Sequence, residues 1–327
     1  ITVIGSGSWG TALAICLASN RQSVCMWGNE SQEIEDMAKQ RCNARYLPGI
    51  AFPDSLSVQI DLAESLKGVR DVVIAVPSHV FRLVLKQMRP NLSLDARLLI
   101  ATKGVEVETG LLMSQIAEQE MGHASSIAII SGPSFAKEVA CGLPTAVVVA
   151  SQDKALGSIW SHYFHSKYFR VYQSTDLIGV QLCSAVKNVL AIAVGISDGL
   201  QLGANARCAL ITRGLAEMTR LGLALGAQSE TFMGLAGLGD LVLTTTDDQS
   251  RNRRMGLALG KNYSVEEATK QIGQVVEGIH NAISVYELAK KQNIEMPIVE
   301  QVYRVVRGEI SSKDAAEVLL SRDPRSE

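Results

Sequence analysis

The first ten residues, Ile1-Thr-Val-Ile-Gly5-Ser-Gly7-Ser8-Trp9-Gly10, limit what this chain can fold into more than any other stretch. Four strand-forming residues run straight into Gly-x-Gly-x-x-Gly. An apolar, alanine-rich segment follows, with Trp9, Leu13, Cys16 and Leu17 on one helical face. In a strand–turn–helix of this kind Gly5 permits the tight reversal and Gly7 lets backbone approach a pyrophosphate. Gly10 lets the helix sit close to the sheet. The N–H groups at the helix start, aided by the helix dipole, then face phosphate oxygens. The bland alternative is a structural turn, because glycine-rich turns are common. The chain begins inside the strand, so a few residues are expected to precede it.

A chain of 327 residues is long enough for two domains with separate cores. Its formal net charge of -2 gives no electrostatic reason to expect nucleic acid as a partner. The one long apolar segment contains Lys187, and the start has no basic n-region, so neither membrane insertion nor a signal peptide is expected. Six cysteines are scattered without a C-x-x-C pair, which suits a reducing cytoplasm and argues against structural zinc and disulfides.

Ser23–Trp27 predicts a second strand, ending in Gly28-Asn29-Glu30. A strict NAD site of this fold places an acid there for the ribose 2′-hydroxyl. Neutral Asn29 does not repel a 2′-phosphate, so NADP is allowed, and favoured, while NAD is not excluded. Strand-like runs recur at Leu56–Ile60, Asp71–Val76, Arg97–Ala101, Ser126–Ser131, Thr145–Ala150 and Tyr168–Tyr172. Helical patterns such as Val80–Met88 and Leu111–Glu120 lie between most of them. The alternation predicts an α/β Rossmann-type domain over residues 1–175, with a mainly parallel sheet covered on both faces.

Ligands of such sheets bind beyond the carboxyl ends of the strands. Three strand ends draw attention. In Val76-Pro77-Ser78-His79, Pro77 stops the strand and Ser78 is placed to cap the next helix or touch a cofactor. In Ala101-Thr-Lys103-Gly104 an ammonium follows a buried strand. In Ser131-Gly132-Pro133-Ser134-Phe-Ala136, Gly132 allows close approach, and Pro133 and Ser134 start a helix whose N-terminus suits an anion.

From Asp176 strand signals fade, and residues 176–321 predict an all-α substrate and catalytic domain with a flexible tail at 322–327. Asp176–Gly199 is apolar all round, as a core helix is, yet carries Lys187 beside Asn188. Burial lowers a lysine's pKa, and proton transfer near neutral pH needs such a shift; a lysine snorkelling to solvent is the alternative. Cys183 and Ala191 lie one turn either side, so this helix supplies no carboxylate partner. Ala204–Ala224 predicts an amphipathic helix whose charges, Arg207, Arg213, Glu217 and Arg220, are mostly surface. Asp240 closes the glycine-rich Gly234–Gly239 and is placed to orient a substrate hydroxyl or the Lys187 amine, unless it is a plain turn former. Ser250-Arg251-Asn252-Arg253-Arg254 is either a helix start with solvated arginines or a fork of donors for a phosphate.

Taken together, these stretches resemble one family. Gly5–Gly10, Pro77–Val80, Ala101–Gly104, Ser131–Glu138, Ala185–Asn188, Gly203–Arg207, Gly237–Leu241, Ser250–Asn252 and Val276–Gly278 keep the order and spacing of the bacterial NAD(P)-dependent sn-glycerol-3-phosphate dehydrogenases. The resemblance implies reversible hydride transfer between NAD(P)H and dihydroxyacetone phosphate, giving glycerol 3-phosphate for phospholipid synthesis. It implies that Lys187 moves the proton and that Lys103 meets substrate and cofactor. Gly132, Ser134, Asp240, Ser250, Arg251 and Asn252 would hold substrate. Ser8, Trp9, Asn29, Ala136, Arg251, Val275 and Glu277 would complete the cofactor site. A homodimer is compatible with this reading. Two rivals remain at this point: a related two-domain dehydrogenase for another hydroxy acid, and a nicotinamide-binding sensor without chemistry.

Overall fold

The computed structural model describes residues 1–122 and 126–322, so residues 323–327 of the expected tail lie outside the described residues. Contacts divide the chain into two compact units: Ile1–Lys103 with Leu112–Val180, and Gly104–Leu111 with the chain from Gln181 on.

The first unit holds eight strands: β1 (Thr2–Ile4), β2 (Val24–Trp27), β3 (Leu56–Gln59), β4 (Asp71–Ile74), β5 (Arg97–Ile100), β6 (Ile127–Ser131), β7 (Thr145–Ala150) and β8 (Phe169–Ser174). Its helices are α1 (Ser8–Ser19), α2 (Ser31–Gln40), α3 (Leu62–Leu66), α4 (Phe81–Met88), α5 (Met113–Met121), α6 (Ala136–Ala140) and α7 (Lys154–Phe164). The strands form one sheet in the order β3-β2-β1-β4-β5-β6-β7-β8. Strands β1 to β6 are parallel, as the alternation of strands with helices predicts. The pairing of β6 with β7 is antiparallel, and β8 then follows β7 in parallel. The five residues of α6 do not span a full crossover, so the chain returns in the opposite sense.

Order along the sheet reverses between β1 and β4, the point at which an open α/β sheet leaves a crevice. The carboxyl ends of β1, β4, β5 and β6 therefore stand side by side on one rim. Helix α1 is buried over most of its surface rather than on one face. Its alanines Ala12 and Ala14 join one apolar core with Val139 of α6, and Ala136 and Ala140 pack against that core. At the far ends of the strands Arg97 makes a bidentate ion pair with Asp71, which also accepts from the Tyr163 hydroxyl at 3.1 Å. That pairing ties β4, β5 and α7 together.

The second unit is helical: α8 (Leu177–Gly199), α9 (Gly203–Ala224), α10 (Ser229–Met233), α11 (Asp240–Thr246), α12 (Arg251–Gly260), α13 (Val265–Ile272), α14 (Glu277–Lys291), α15 (Pro297–Val306) and α16 (Ser312–Leu320). Helix α8 is capped by Asp176, which accepts from Gly179 N at 2.8 Å. By length and composition α8 is apolar enough to cross a membrane, yet 94% of its apolar window is buried inside the protein. It is a core helix. A seam of glycines sets α12 against it. A Cβ on Gly195 or Gly256 would overlap the Arg253 or Ile192 carbonyl, and one on Gly260 would lie 2.5 Å from the Ile196 carbonyl. The two backbones touch because no side chain stands between them.

One charge on α9 departs from the surface expectation. Glu217 is buried, and its carboxyl accepts from Ile298 N at 2.8 Å and Val299 N at 3.3 Å, capping α15. Helical spacing along α9 does not show that the N-terminus of α15 would rest against Glu217. Burial pushes the Glu217 carboxyl up to about 7, against 4.5 unperturbed, although the two amides pull it down. The folded chain therefore holds a proton that the unfolded chain has lost between those values, and stability declines as pH rises through that window. Glu217→Gln is expected to flatten this decline by about 3 kcal/mol in denaturant titrations between pH 4.5 and 7.5. An unchanged slope would exclude Glu217 as its source.

Candidate active site

Each unit assembles its own group of functional side chains. In the first, Gly5 has φ 113°, and a Cβ there would lie 2.7 Å from the Ala75 carbonyl, so the turn is closed to other residues. Gly7 is the N-cap of α1 with no side-chain cap, and no atom lies within 4 Å of where its Cβ would stand. Open space beside uncapped amides is what a pyrophosphate needs, so the turn fits a dinucleotide. Ser8 and Trp9 form the first turn of α1. The Lys103 ammonium lies 5.8 Å from the Trp9 ring centroid, in cation–π range, while the buried Trp9 indole N–H has no partner among the described residues.

Lys103 owes its place to Thr102, whose hydroxyl donates to the Val76 carbonyl at 2.8 Å and ties the ends of β4 and β5 together. Pro77 is the N-cap of a 3-10 turn, Ser78–Val80, so Ser78 lies inside that turn and does not cap α4. After β6, Gly132 has φ 139°, and Ser134 donates to its carbonyl at 2.9 Å. The helix expected to start at Pro133 starts instead at Ala136, with Phe135 at the N-cap. Pro133 and Ser134 form the preceding turn. Asn29 is exposed just after β2.

Sequence reasoning passed over Asn43. Its buried side chain donates to the Ser6 carbonyl and to the Thr11 hydroxyl, both at 2.8 Å, and accepts from Tyr46 N at 3.1 Å. Asn43 thus holds the middle of the glycine turn from behind. No motif marks it, because only the fold brings residue 43 to residue 6.

In the second unit Lys187 is buried, with Nζ 2.5 Å from Asp240 Oδ1 and 3.0 Å from Thr244 Oγ1. The carboxylate that α8 does not supply comes from α11. Asp240 follows a π-helical turn, Leu235–Gly239, whose glycines leave room to aim the first residue of α11 inward. The Thr244 hydroxyl donates to the Asp240 carbonyl at 2.6 Å, so its oxygen is turned to accept from Lys187. Thr244 was also missed. Its signal was the four-residue spacing from Asp240, which puts both on one helix face.

Beside this cluster Asn188, Asn252 and Gly278 form a chain. Asn252 donates to Asn188 Oδ1 at 2.9 Å and accepts from Gly278 N at 2.9 Å. A Cβ on Gly278 would stand 2.8 Å from both the Asn188 carbonyl and Asn252 Oδ1. Ser250 is the N-cap of α12 and accepts from Arg253 N at 3.2 Å. Arg253 is buried against Asp198 and Asp248. The segment 250–254 is therefore a helix start, but its second arginine, Arg253, is not solvated. Arg251 is half-buried, with Nη1 3.5 Å from Gln274 Oε1. Val275 is exposed before α14, and Glu277 opens that helix half-buried.

A Rossmann-type sheet with an open glycine turn, joined to a helical unit that buries a lysine against an aspartate, has the build of a nicotinamide-dependent oxidoreductase. Residues 1–157 match the profile of the NAD-dependent glycerol-3-phosphate dehydrogenase N-terminus, and residues 176–317 match that of the C-terminus. The NAD(P)+ glycerol-3-phosphate dehydrogenase of Serratia proteamaculans is 54% identical over 100% of this chain and 97% of its own length. That of Edwardsiella ictaluri is 55% identical with the same coverage. The crystal structure of glycerol-3-phosphate dehydrogenase from Coxiella burnetii superposes with TM-score 0.95 at 48% identity, covering 98% of each chain. The chain belongs to this NAD(P)-dependent glycerol-3-phosphate dehydrogenase family.

If Asn43 supports the glycine turn, Asn43→Ala should weaken NADPH binding about tenfold in a fluorescence titration, since it leaves the Ser6 carbonyl and Thr11 hydroxyl short of a buried partner. Unchanged affinity would show that the turn stands without it.

Proposed function

We propose that the chain catalyses reversible reduction of dihydroxyacetone phosphate to sn-glycerol 3-phosphate, with Lys187 as the group that gives the carbonyl oxygen its proton and takes it back in oxidation. The observation that carries this reading is a buried lysine held by Asp240 at 2.5 Å and Thr244 at 3.0 Å. The nicotinamide cofactor supplies or accepts the hydride at the substrate carbon. As hydride arrives at that carbon, negative charge builds on the oxygen. A positioned ammonium stabilises the charge and delivers its proton, an effect of a few kcal/mol.

Asp240 offsets the cost of burying the ammonium and, with Thr244, fixes the direction of its N–H bonds. The substrate phosphate asks for fixed donors. Arg251 at the first turn of α12 and the second amide hydrogen of Asn252 are our candidates, with Ser250, Gly132, Ser134 and Lys103 completing the substrate contacts. For the cofactor we propose Gly5, Gly7, Ser8, Trp9, Gly10, Asn29, Lys103 and Ala136 from the first unit, and Arg251, Val275 and Glu277 from the second. A neutral Asn29 after β2 keeps NADPH as the favoured form.

NADPH oxidation should proceed with dihydroxyacetone phosphate and fall by at least a hundredfold with unphosphorylated dihydroxyacetone. Equal rates would remove the phosphate role, and the same assay with NADH measures cofactor preference. Lys187→Ala should lower kcat by roughly a hundredfold or more while NADPH affinity stays within about twofold. Near-normal turnover would take Lys187 out of the chemistry.

A further inference from the structure

Arg253 lies outside the groups proposed to meet substrate or cofactor, yet its buried guanidinium joins three helices of the second unit: its own α12, α8 and α11. Nη1 donates to Asp198 Oδ2 of α8 at 2.5 Å and to the Thr245 carbonyl of α11 at 3.1 Å. Nε donates to Asp248 Oδ1, in the link between α11 and α12, at 2.9 Å. Asp198 also accepts from Arg207 Nε of α9, at 3.0 Å to both of its oxygens. The stretch Gly203–Arg207, to which the proposed reaction gives no role, thus ends in this network.

Helix α11 is the element that needs such a hold. Its seven residues are too few for a helix to stand without tertiary contacts. The last carbonyls of a helix have no partner within it, and a guanidinium at the Thr245 carbonyl meets one of them and complements the negative end of the helix dipole. Thr244, the preceding residue, accepts from Lys187, and Asp240 opens the same helix against the same ammonium. Asp198 stands about three turns beyond Lys187 on α8, so the two look out from one face. Helix α11 is held to that face twice, by Lys187 directly and by Asp198 through Arg253. Helix α12 needs the guanidinium less, since the glycine seam and the Asn252 bonds to Asn188 and Gly278 hold it.

We propose, on the reading of Lys187 as the group that moves the proton, that Arg253 is a positioning residue for it: by tying the end of α11 to Asp198, Arg253 sets where Asp240 and Thr244 hold the ammonium. Removing the guanidinium strands no carboxylate, because Asp198 keeps Arg207 and Asp248 is exposed. What it releases is α11.

Steady-state reduction of dihydroxyacetone phosphate by Arg253→Met, made in the parent chain and in Lys187→Ala, tests the assignment. In the parent chain Arg253→Met should lower kcat about tenfold, as a small misplacement of a reacting group does, with KM for dihydroxyacetone phosphate and for NADPH within about twofold. In Lys187→Ala the same change should alter the residual kcat by less than about twofold, since no ammonium is left to aim. Arg253→Lys, which can still reach Asp198 and the Thr245 carbonyl with one nitrogen, should recover kcat to within about threefold of the parent. Asp198→Asn keeps the shape of the anchor without its charge and should lower kcat about threefold at unchanged KM. Should Arg253→Met not fold, unchanged kcat in Asp198→Asn would overturn the assignment. So would a kcat for Arg253→Met within about twofold of the parent, a rise in KM that matches the fall in kcat, or an equal loss in Lys187→Ala. Near-normal turnover by Lys187→Ala itself would overturn the reading of Lys187, and the role of Arg253 with it.

Discussion

An ammonium removed from water has to meet an anion at once, and the helical unit is arranged around that requirement. Lys187 stands on a largely apolar helix that places no carboxylate one turn either side of it. The cost of burying a lone charge is several kcal/mol, so Asp240 has to arrive from another helix with little tolerance. It does so as the first residue of α11, directly after a π-helical turn. Thr244 and the Asn188–Asn252–Gly278 chain then hold the surroundings of the pair.

The first unit meets a different requirement with the same means. A pyrophosphate needs backbone amides, so the chain must come close without a side chain in the way. Gly7 leaves that space open, while Gly5 and Gly10 let the strand, turn and helix close behind it. Asn43 and Thr102 are ordinary polar residues used as braces. One holds the turn and the other holds the rim that carries Lys103.

Much of this was legible in the sequence because it depends on local patterning. The strands, the rim residues after β4, β5 and β6, and the core character of α8 follow from apolar runs and their punctuation, and the family resemblance agrees with the comparisons. What escaped depends on which surfaces meet. The reversed direction of β7 turns on the length of α6, the burial of Glu217 on where α15 starts, and the bracing by Asn43 on a contact 37 residues apart. The sequence left open whether Asp240 faces substrate or lysine; the geometry sets it against the lysine.

The glycine seam has a consequence for how such a chain can change. Close backbone contact fixes the middle and far end of α12 against α8 without help from any side chain. Ser250, Arg251 and Asn252 occupy that tip, ahead of Gly256 and Gly260 on the same helix. Side chains at the tip can therefore be exchanged while the scaffold beneath stays still, and the two halves of one short helix come under separate selection.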